Sequence, residues 1–477
     1  GRGSDMRKLI LFIFMLWIGF SAGAQDSLTV YLKMAAVNNP TVRQRFAEYK
    51  ASLKKIPQAG ALPDPQLEMG VFLNPMEVVN GKQITEIKLM QMFPWFGVLK
   101  NAKDEMSQMA QMKYEAFRDA KLQVFYEVQK NWFNLYRIRR EIKLTLQNIE
   151  LLHSIERMSV IKFSAPGSQG SVSSVKKTPP MNPKSSSSTT NMGNMTGNVS
   201  VSAVPTMSPS MTSSGMTGEN NSGGLIEVYE IQSELLELEN GLTSLQNAET
   251  VALARFNFYL NRGEAAPIII TDTLTSEPLD TAYLSVNDSL LGRNPMLGML
   301  WHEQQSLDSK LRMQKKMGYP MLGVGVNYSV INRDPMSESA MNGRDMIMPM
   351  ITVTLPIYRK KYQAMQTETR ILKEASEENS RATLNELRIS YLEALQQYYN
   401  ADRFLKLYSR QRDYLQKSLS IILQSYSTGS KPLSEVQSTR RRLLDYDLKY
   451  TEALSDFNTA KALITRLIAS TDSLLIK

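Results

Sequence analysis

Methionine is the residue type here with distinctive chemistry: the chain has 28 methionines, 2 histidines and no cysteine. A thioether is a soft ligand that suits Cu(I), and by the same softness Ag(I). It also stays a ligand in an oxidising compartment, where thiols pair off. Met181, Met192, Met195, Met207, Met211 and Met216 fall in one polar stretch, and Asn191-Met192-Gly193-Asn194-Met195 has a spacing that a linear two-coordinate ion can bridge. The competing reading is that methionine fills irregular cores and that a Met-rich loop needs no ligand role. Zero cysteine excludes disulfides, thiolate metal sites, haem attachment and cysteine catalysis. His153 and His302 leave no material for a His-rich zinc site and read as packing or surface residues on helices. His302-Glu303 starts a zincin-like string, but Ser306 stands where the second histidine belongs. Gly323-x-Gly325 lies inside an alternating strand, without the third glycine of a dinucleotide motif. No carboxylate pair stands out as catalytic. The chain therefore reads as no enzyme, with no cofactor.

The net charge of +9 is modest over 477 residues and spread along helices, which argues against nucleic acid as a partner. Residues 1–24 read as a processed leader. Gly1 to Asp5 look like a vector-derived scar ahead of an initiator-like Met6. Arg7-Lys8 then precede the apolar run Leu9 to Phe20, and Ala22-Gly23-Ala24 fits a cleavage site. That run is too short to span a bilayer as a helix.

The remainder repeats one order of elements. Asn39-Pro40 opens a helix, then come Pro63, two strand-like runs, Phe93-Pro94 and a very long helix. Asn294-Pro295, Pro320, Leu355-Pro356 and a second very long helix follow at offsets of about 255 to 262 residues, a duplication and not a solenoid. The first repeat is expected over 25–262, a linker over 263–293, and the second repeat over 294–477. The long helices are expected over 98–163 and 357–428, neither containing Gly or Pro, and each would reach roughly 100 Å. From Leu384 to Tyr426 the second keeps a 3-4 apolar spacing that only Arg412 breaks. Partner helices are expected over 225–260 and 432–468, so each long helix should turn back at a hairpin tip.

Strands are expected over 66–74, 84–93, 322–332 and 346–355. Leu322, Val324, Val326, Tyr328 and Val330 alternate with Gly323, Gly325, Asn327 and Ser329, and the other three runs alternate likewise, the one over 84–93 less cleanly. The length suits tilted transmembrane strands. Trp95, Phe96 and Tyr358 gather at one end, as an interfacial belt requires. Soluble hairpins with one wet face are the alternative. Four strands cannot close a barrel, and an open edge in lipid is prohibitive, so several chains would share one barrel. The alternation puts Met90, Met92, Met346, Met348 and Met350 on the more polar, lumen-facing side.

The order, spacing and duplication of these pieces resemble the TolC-like outer-membrane efflux proteins, and among them the heavy-metal branch that includes CusC and CzcC. Three strings carry the resemblance: the tip Tyr426-Ser427-Thr428-Gly429-Ser430-Lys431-Pro432-Leu433-Ser434-Glu435-Val436, the paired tip from Gly224 to Gln232, and the junction Phe93-Pro94-Trp95-Phe96-Gly97. The resemblance implies a mainly α fold with a β-barrel segment. It implies a homotrimer with a 12-stranded barrel in the outer-membrane lipid and a long helical tunnel in the periplasm of a Gram-negative cell. It further implies a passive exit duct working with a periplasmic adaptor and an inner-membrane pump of the resistance-nodulation-division type. By the same resemblance Tyr426, Lys431 and Glu435 form a periplasmic gate. The adaptor would dock on tips that include Gly224, Leu225, Val228, Glu230, Gly429, Ser430 and Leu433. Ser438 replaces an acidic residue that some members carry. The Met- and Ser-rich stretch 165–224 interrupts the first tip, and its composition predicts disorder. Methionine content points to Cu(I) or Ag(I) as cargo. A drug or detergent duct or a type I secretion duct is the alternative within the class, and a secreted coiled-coil fibre the alternative outside it.

Overall fold

The computed structural model describes residues 27–164, 222–270, 274–284, 291–336, 338–428 and 430–470. The leader 1–24 and the six methionines from Met181 to Met216 lie outside the described residues. Asn39 and Asn294 show how the duplication is built. Each is the N-cap of a Pro-opened helix, α2 (Pro40–Ala59) and α5 (Pro295–Met317). Each Oδ1 accepts from its helix, Thr41 N at 3.0 Å and Met296 N at 2.9 Å. Each Nδ2 donates to the last residue of its own repeat's final helix, Tyr259 O and Leu467 O, both at 2.9 Å. Two residues beyond each of those helix ends the chain turns through a left-handed residue, Asn261 (φ 52°) and Ala469 (φ 51°).

A short helix α1 (Ser27–Asn38) precedes α2. The long helix α3 (Val98–Ser164, 67 residues) is followed in the described chain by α4 (Ser222–Tyr259). In the second repeat α6 (Arg359–Ser427, 69 residues) turns into α7 (Leu433–Leu467). No described helix is long and apolar enough to cross a membrane. The core has two clusters, one mostly from each repeat. Tyr31, Trp132 and Phe256 interlock in the first, with ring centroids 5.3 to 5.8 Å apart. Tyr391, Tyr398, Phe457 and Ile464 centre the second. The backbone N–H of Leu279 donates to Tyr398 Oη at 3.0 Å, tying the inter-repeat segment to α6.

The expected seam of α6 is buried at Leu387, Tyr391, Ala394, Tyr398, Ala401, Leu405, Leu419 and Tyr426. Arg412 sits in it without an orphan charge: its Nε lies 3.5 Å from Asp447 on α7, and its guanidinium stacks over Tyr450 at 4.7 Å. Toward the sheet the seam becomes polar. Thr369 Oγ1 donates to Gln314 at 2.9 Å, Ser376 Oγ to Glu303 at 2.8 Å, and Lys373 Nζ to Asp308 at 2.9 Å.

Four strands form one antiparallel sheet in the order β1 (Gln66–Val78), β2 (Gly81–Phe93), β3 (Met321–Asn332), β4 (Met346–Thr354). The first hairpin is longer than its sequence pattern because β1 and β2 run on to a two-residue turn. Gly81 makes that turn possible: its φ is 126°, and a Cβ there would lie 2.4 Å from Asn332 O. The β2–β3 pairing joins the two repeats in one sheet. The chain forms two compact units, the residues up to Thr145 together with those from Leu242, and the segment Leu146–Gly241. Within the latter, Leu152, Ile155, Ile231 and Leu235 are buried, and Gln232 Nε2 donates to Glu156 at 3.1 Å.

Candidate functional site

The sheet is ordered by chemistry across all four strands. One face carries the rows Leu67–Leu89–Val326–Pro349 and Met69–Ile87–Tyr328–Ile347. This apolar face is the exposed one: Leu67, Met69, Val71 and Leu73 are 65% to 96% exposed. The opposite face carries Gln66–Met90–Gly325–Met350 and Glu68–Lys88–Asn327–Met348, with Met92, Gly323 and Thr352 alongside. Lys88 pairs with Glu68 at 3.3 Å, Asn327 donates to Glu86, and Gln83 donates to Ser329 at 3.1 Å. Long side chains fold over the small residues of β3 here. The thioether of Met92 occupies the place a Cβ on Gly323 would take. A water-soluble sheet buries its apolar face; here that face is exposed, and on β3 the opposite, polar face is the buried one, at Gly323, Gly325, Asn327 and Ser329.

At the junction below the strands, Phe96 and Tyr358 are exposed and Trp95 is half-buried against Tyr319, stacked at 5.3 Å.

The tip of α6 and α7 is a compact turn. Ser430 N donates to Ser425 O at 2.9 Å, and Glu435 lies in the first turn of α7, where a carboxylate complements the helix dipole. Lys431 Nζ meets the Glu435 carboxylate at 3.0 Å, with both side chains partly exposed. Tyr426, expected with them at the gate, is 3% exposed, and Leu433 and Val436 are buried as well. Its ring packs the tip of its own chain. Ser430 is exposed, while Gly429 lies outside the described residues. In the other tip, Gly224, Leu225, Val228 and Glu230 all fall in the opening turns of α4, with Val228 half-buried and Glu230 exposed.

His302 accepts or donates one hydrogen bond with Gln108 at 2.8 Å, and burial lowers its pKa. His153 sits 3.3 Å from Glu156. Among the described residues no three His, Asp or Glu side chains converge as a metal site.

Residues 286–470 match the family model described as outer membrane efflux protein. Over those residues the chain is similar to an outer membrane efflux protein domain. No curated protein matches the chain in sequence. Solved structures share its fold. CusC, described in a study of folding and transmembrane channel formation, superposes with a TM-score of 0.67 at 13% identity, covering 93% of this chain and 92% of that one. The Vibrio cholerae outer membrane protein VceC gives 0.65 at 11%, over 92% and 95% of the two chains. The Campylobacter jejuni CmeC outer membrane channel gives 0.63 at 12%, over 93% and 85%. At these identities the likeness is one of fold, and it does not single out the heavy-metal branch.

The matched residues contain the tip just described and a side chain that the sequence reading missed. Arg440 is 1% exposed on α7, the largest of the fully buried side chains. Its spacing was a usable signal, since it follows Leu433 by seven positions and Val436 by four on the same helix face.

Proposed function

We propose that the protein is the outer-membrane exit duct of a tripartite efflux system, assembled from three chains. The observation that carries this reading is the sheet: an apolar face exposed on all four strands, a polar face opposite it that is buried on β3, and two edges, β1 and β4, unpaired among the described residues. In lipid those edges must pair, and pairing β4 of one chain with β1 of the next closes twelve strands over three copies. The polar face then lines the lumen, and the long helices continue it into the periplasm as a tunnel. Substrate is conducted passively, and the energy comes from an inner-membrane pump of the resistance-nodulation-division type through a periplasmic adaptor docked on the tips.

Lys431 and Glu435 are the proposed gate. An exposed ion pair contributes about 0–1 kcal/mol, so adaptor docking can exchange it for contacts between chains or release it. Tyr426 supports the gate by fixing the turn that presents them. Cu(I) or Ag(I) is the proposed cargo. What supports this is softness together with position: Met90, Met92, Met346, Met348 and Met350 all lie on the polar face, and Gly323 and Gly325 leave room for the thioethers beside them.

The test is growth of a deletion strain on Cu, Ag, Zn and a panel of drugs and detergents, complemented by the intact chain or by one lacking Ser168 to Gly223. The expected result is selective Cu and Ag sensitivity, rescued fully only by the intact chain. Drug sensitivity rescued equally by both would make this a general duct with incidental methionines. No rescue of any phenotype would sink the duct reading.

A further inference from the structure

Below the exposed apolar face, Leu62, Phe93, Trp95, Pro320, Leu322 and Val324 line an apolar hollow of about 420 Å³. Phe93, Leu322 and Val324 belong to the same exposed strand face, so the hollow continues that face downward. One cation touches its lining and two more follow close by in the chain. Lys316 lies against Gly97, where its Nζ takes the place a Cβ would need, and Gly97 is part of the lining. Lys103 lies along Gly60, two residues before Leu62, and Lys100 follows the lining residue Leu99. None of the three has an ion-pair partner among the described residues.

The placement of Lys100 is unfavourable for its helix alone, whereas Lys316, in the last turn of α5, suits that helix's dipole. Lys100 stands in the first turn of α3, which has no acidic residue there. The second repeat does the same: α6 opens with Arg359-Lys360-Lys361, no acidic residue and no side-chain cap. A cation at the positive end of a helix dipole is destabilising unless an anion joins it, and a phosphate at a helix start is the common solution. An apolar hollow with an acyl chain's polarity, set directly beside unpaired cations at the level where strands become helices, has the two halves of a phospholipid in the right order.

We propose that this hollow binds an anionic diacyl phospholipid of the membrane, its chain against Trp95 and Leu322 and its phosphate among Lys100, Lys103 and Lys316. The site rests on the reading of the sheet as a barrel in lipid. Held there, the lipid fills the rim between barrel and tunnel and neutralises the helix starts. A neutral lipid can fill the hollow but leaves the lysines unpaired.

The experiment places the full chain in phosphatidylcholine vesicles doped with either phosphatidylglycerol or phosphatidylcholine carrying brominated acyl chains, and reads quenching of Trp95 fluorescence. W95F identifies the Trp95 component against Trp17, Trp132 and Trp301. The expected result is half-quenching by brominated phosphatidylglycerol at a roughly tenfold lower mole fraction than by the choline lipid. K100A/K103A/K316A should bring the two lipids to parity while the choline lipid still quenches, which also shows that the variant has inserted. Equal quenching of the intact chain by both lipids would overturn the site and leave the barrel standing. Absence of quenching by either would overturn the barrel reading and the site with it.

Discussion

Asn294 holds the second repeat together at one point, and Asn39 does the same for the first. A cap alone is worth about 1 kcal/mol. The amide also pairs the buried Leu467 carbonyl, and leaving such a group unpaired costs about 1–3 kcal/mol. Asn294→Ala should therefore lower the thermal unfolding midpoint in detergent by several degrees, the equivalent of roughly 2–3 kcal/mol. Asn294→Asp keeps the acceptor and loses the donor, so it should fall between. An unchanged midpoint for Asn294→Ala would show that the long-range bond carries no weight. At this scale the sequence was partly legible. Asn-Pro announced both helix starts, because a cap and a fixed φ act locally. The bonds to Tyr259 and Leu467 span 220 and 173 residues, and no local pattern records them. Arg412 looked like a fault in a seam until Asp447 and Tyr450 supplied its partners.

The helices and strands were the most legible parts, since freedom from Gly and Pro and the 3-4 spacing are properties of the element itself. The polar stretch of the α5–α6 seam was not legible. Thr369, Ser376 and Thr383 keep the seven-residue spacing of the buried face, yet hydroxyls there read as surface until Gln314 and Glu303 are seen opposite two of them. Carboxylates along the helices give a prediction for pH. Burial raises the pKa of Asp119 on α3, with Arg466 and Arg45 opposing it, and burial likewise raises Glu141, Asp447 and Asp456. A carboxyl whose folded pKa lies above its unfolded one contributes stability that is fully present below the unfolded pKa and is lost as pH rises through the folded one. The helical region should therefore be more heat-resistant at mildly acidic than at neutral pH. Asp119→Asn should raise the neutral midpoint and leave the acidic one nearly unchanged, read by helix circular dichroism across that range. A larger loss at the acidic end would reverse the assignment of burial as the dominant cause.

In the whole chain, the sheet joins the two repeats and also leaves each with one free edge. The sequence made this arithmetic accessible, because four alternating strands cannot close on themselves. What it could not give was the strand order, which depends on β2 meeting β3 across more than two hundred residues of chain. That order puts β1 and β4 at the two edges and so fixes which strands must meet between copies. The absence of cysteine gives a clean background for testing this. Cysteine pairs, one within residues 67–73 of β1 and one within 347–353 of β4, would be scanned in the full chain in its native membrane and oxidised. The expected result is a ladder ending in a covalent trimer for pairs in register, absent from each single-cysteine control. If every pair in the scan stays monomeric, β1 and β4 do not meet between copies, and the shared barrel at the centre of this account is contradicted.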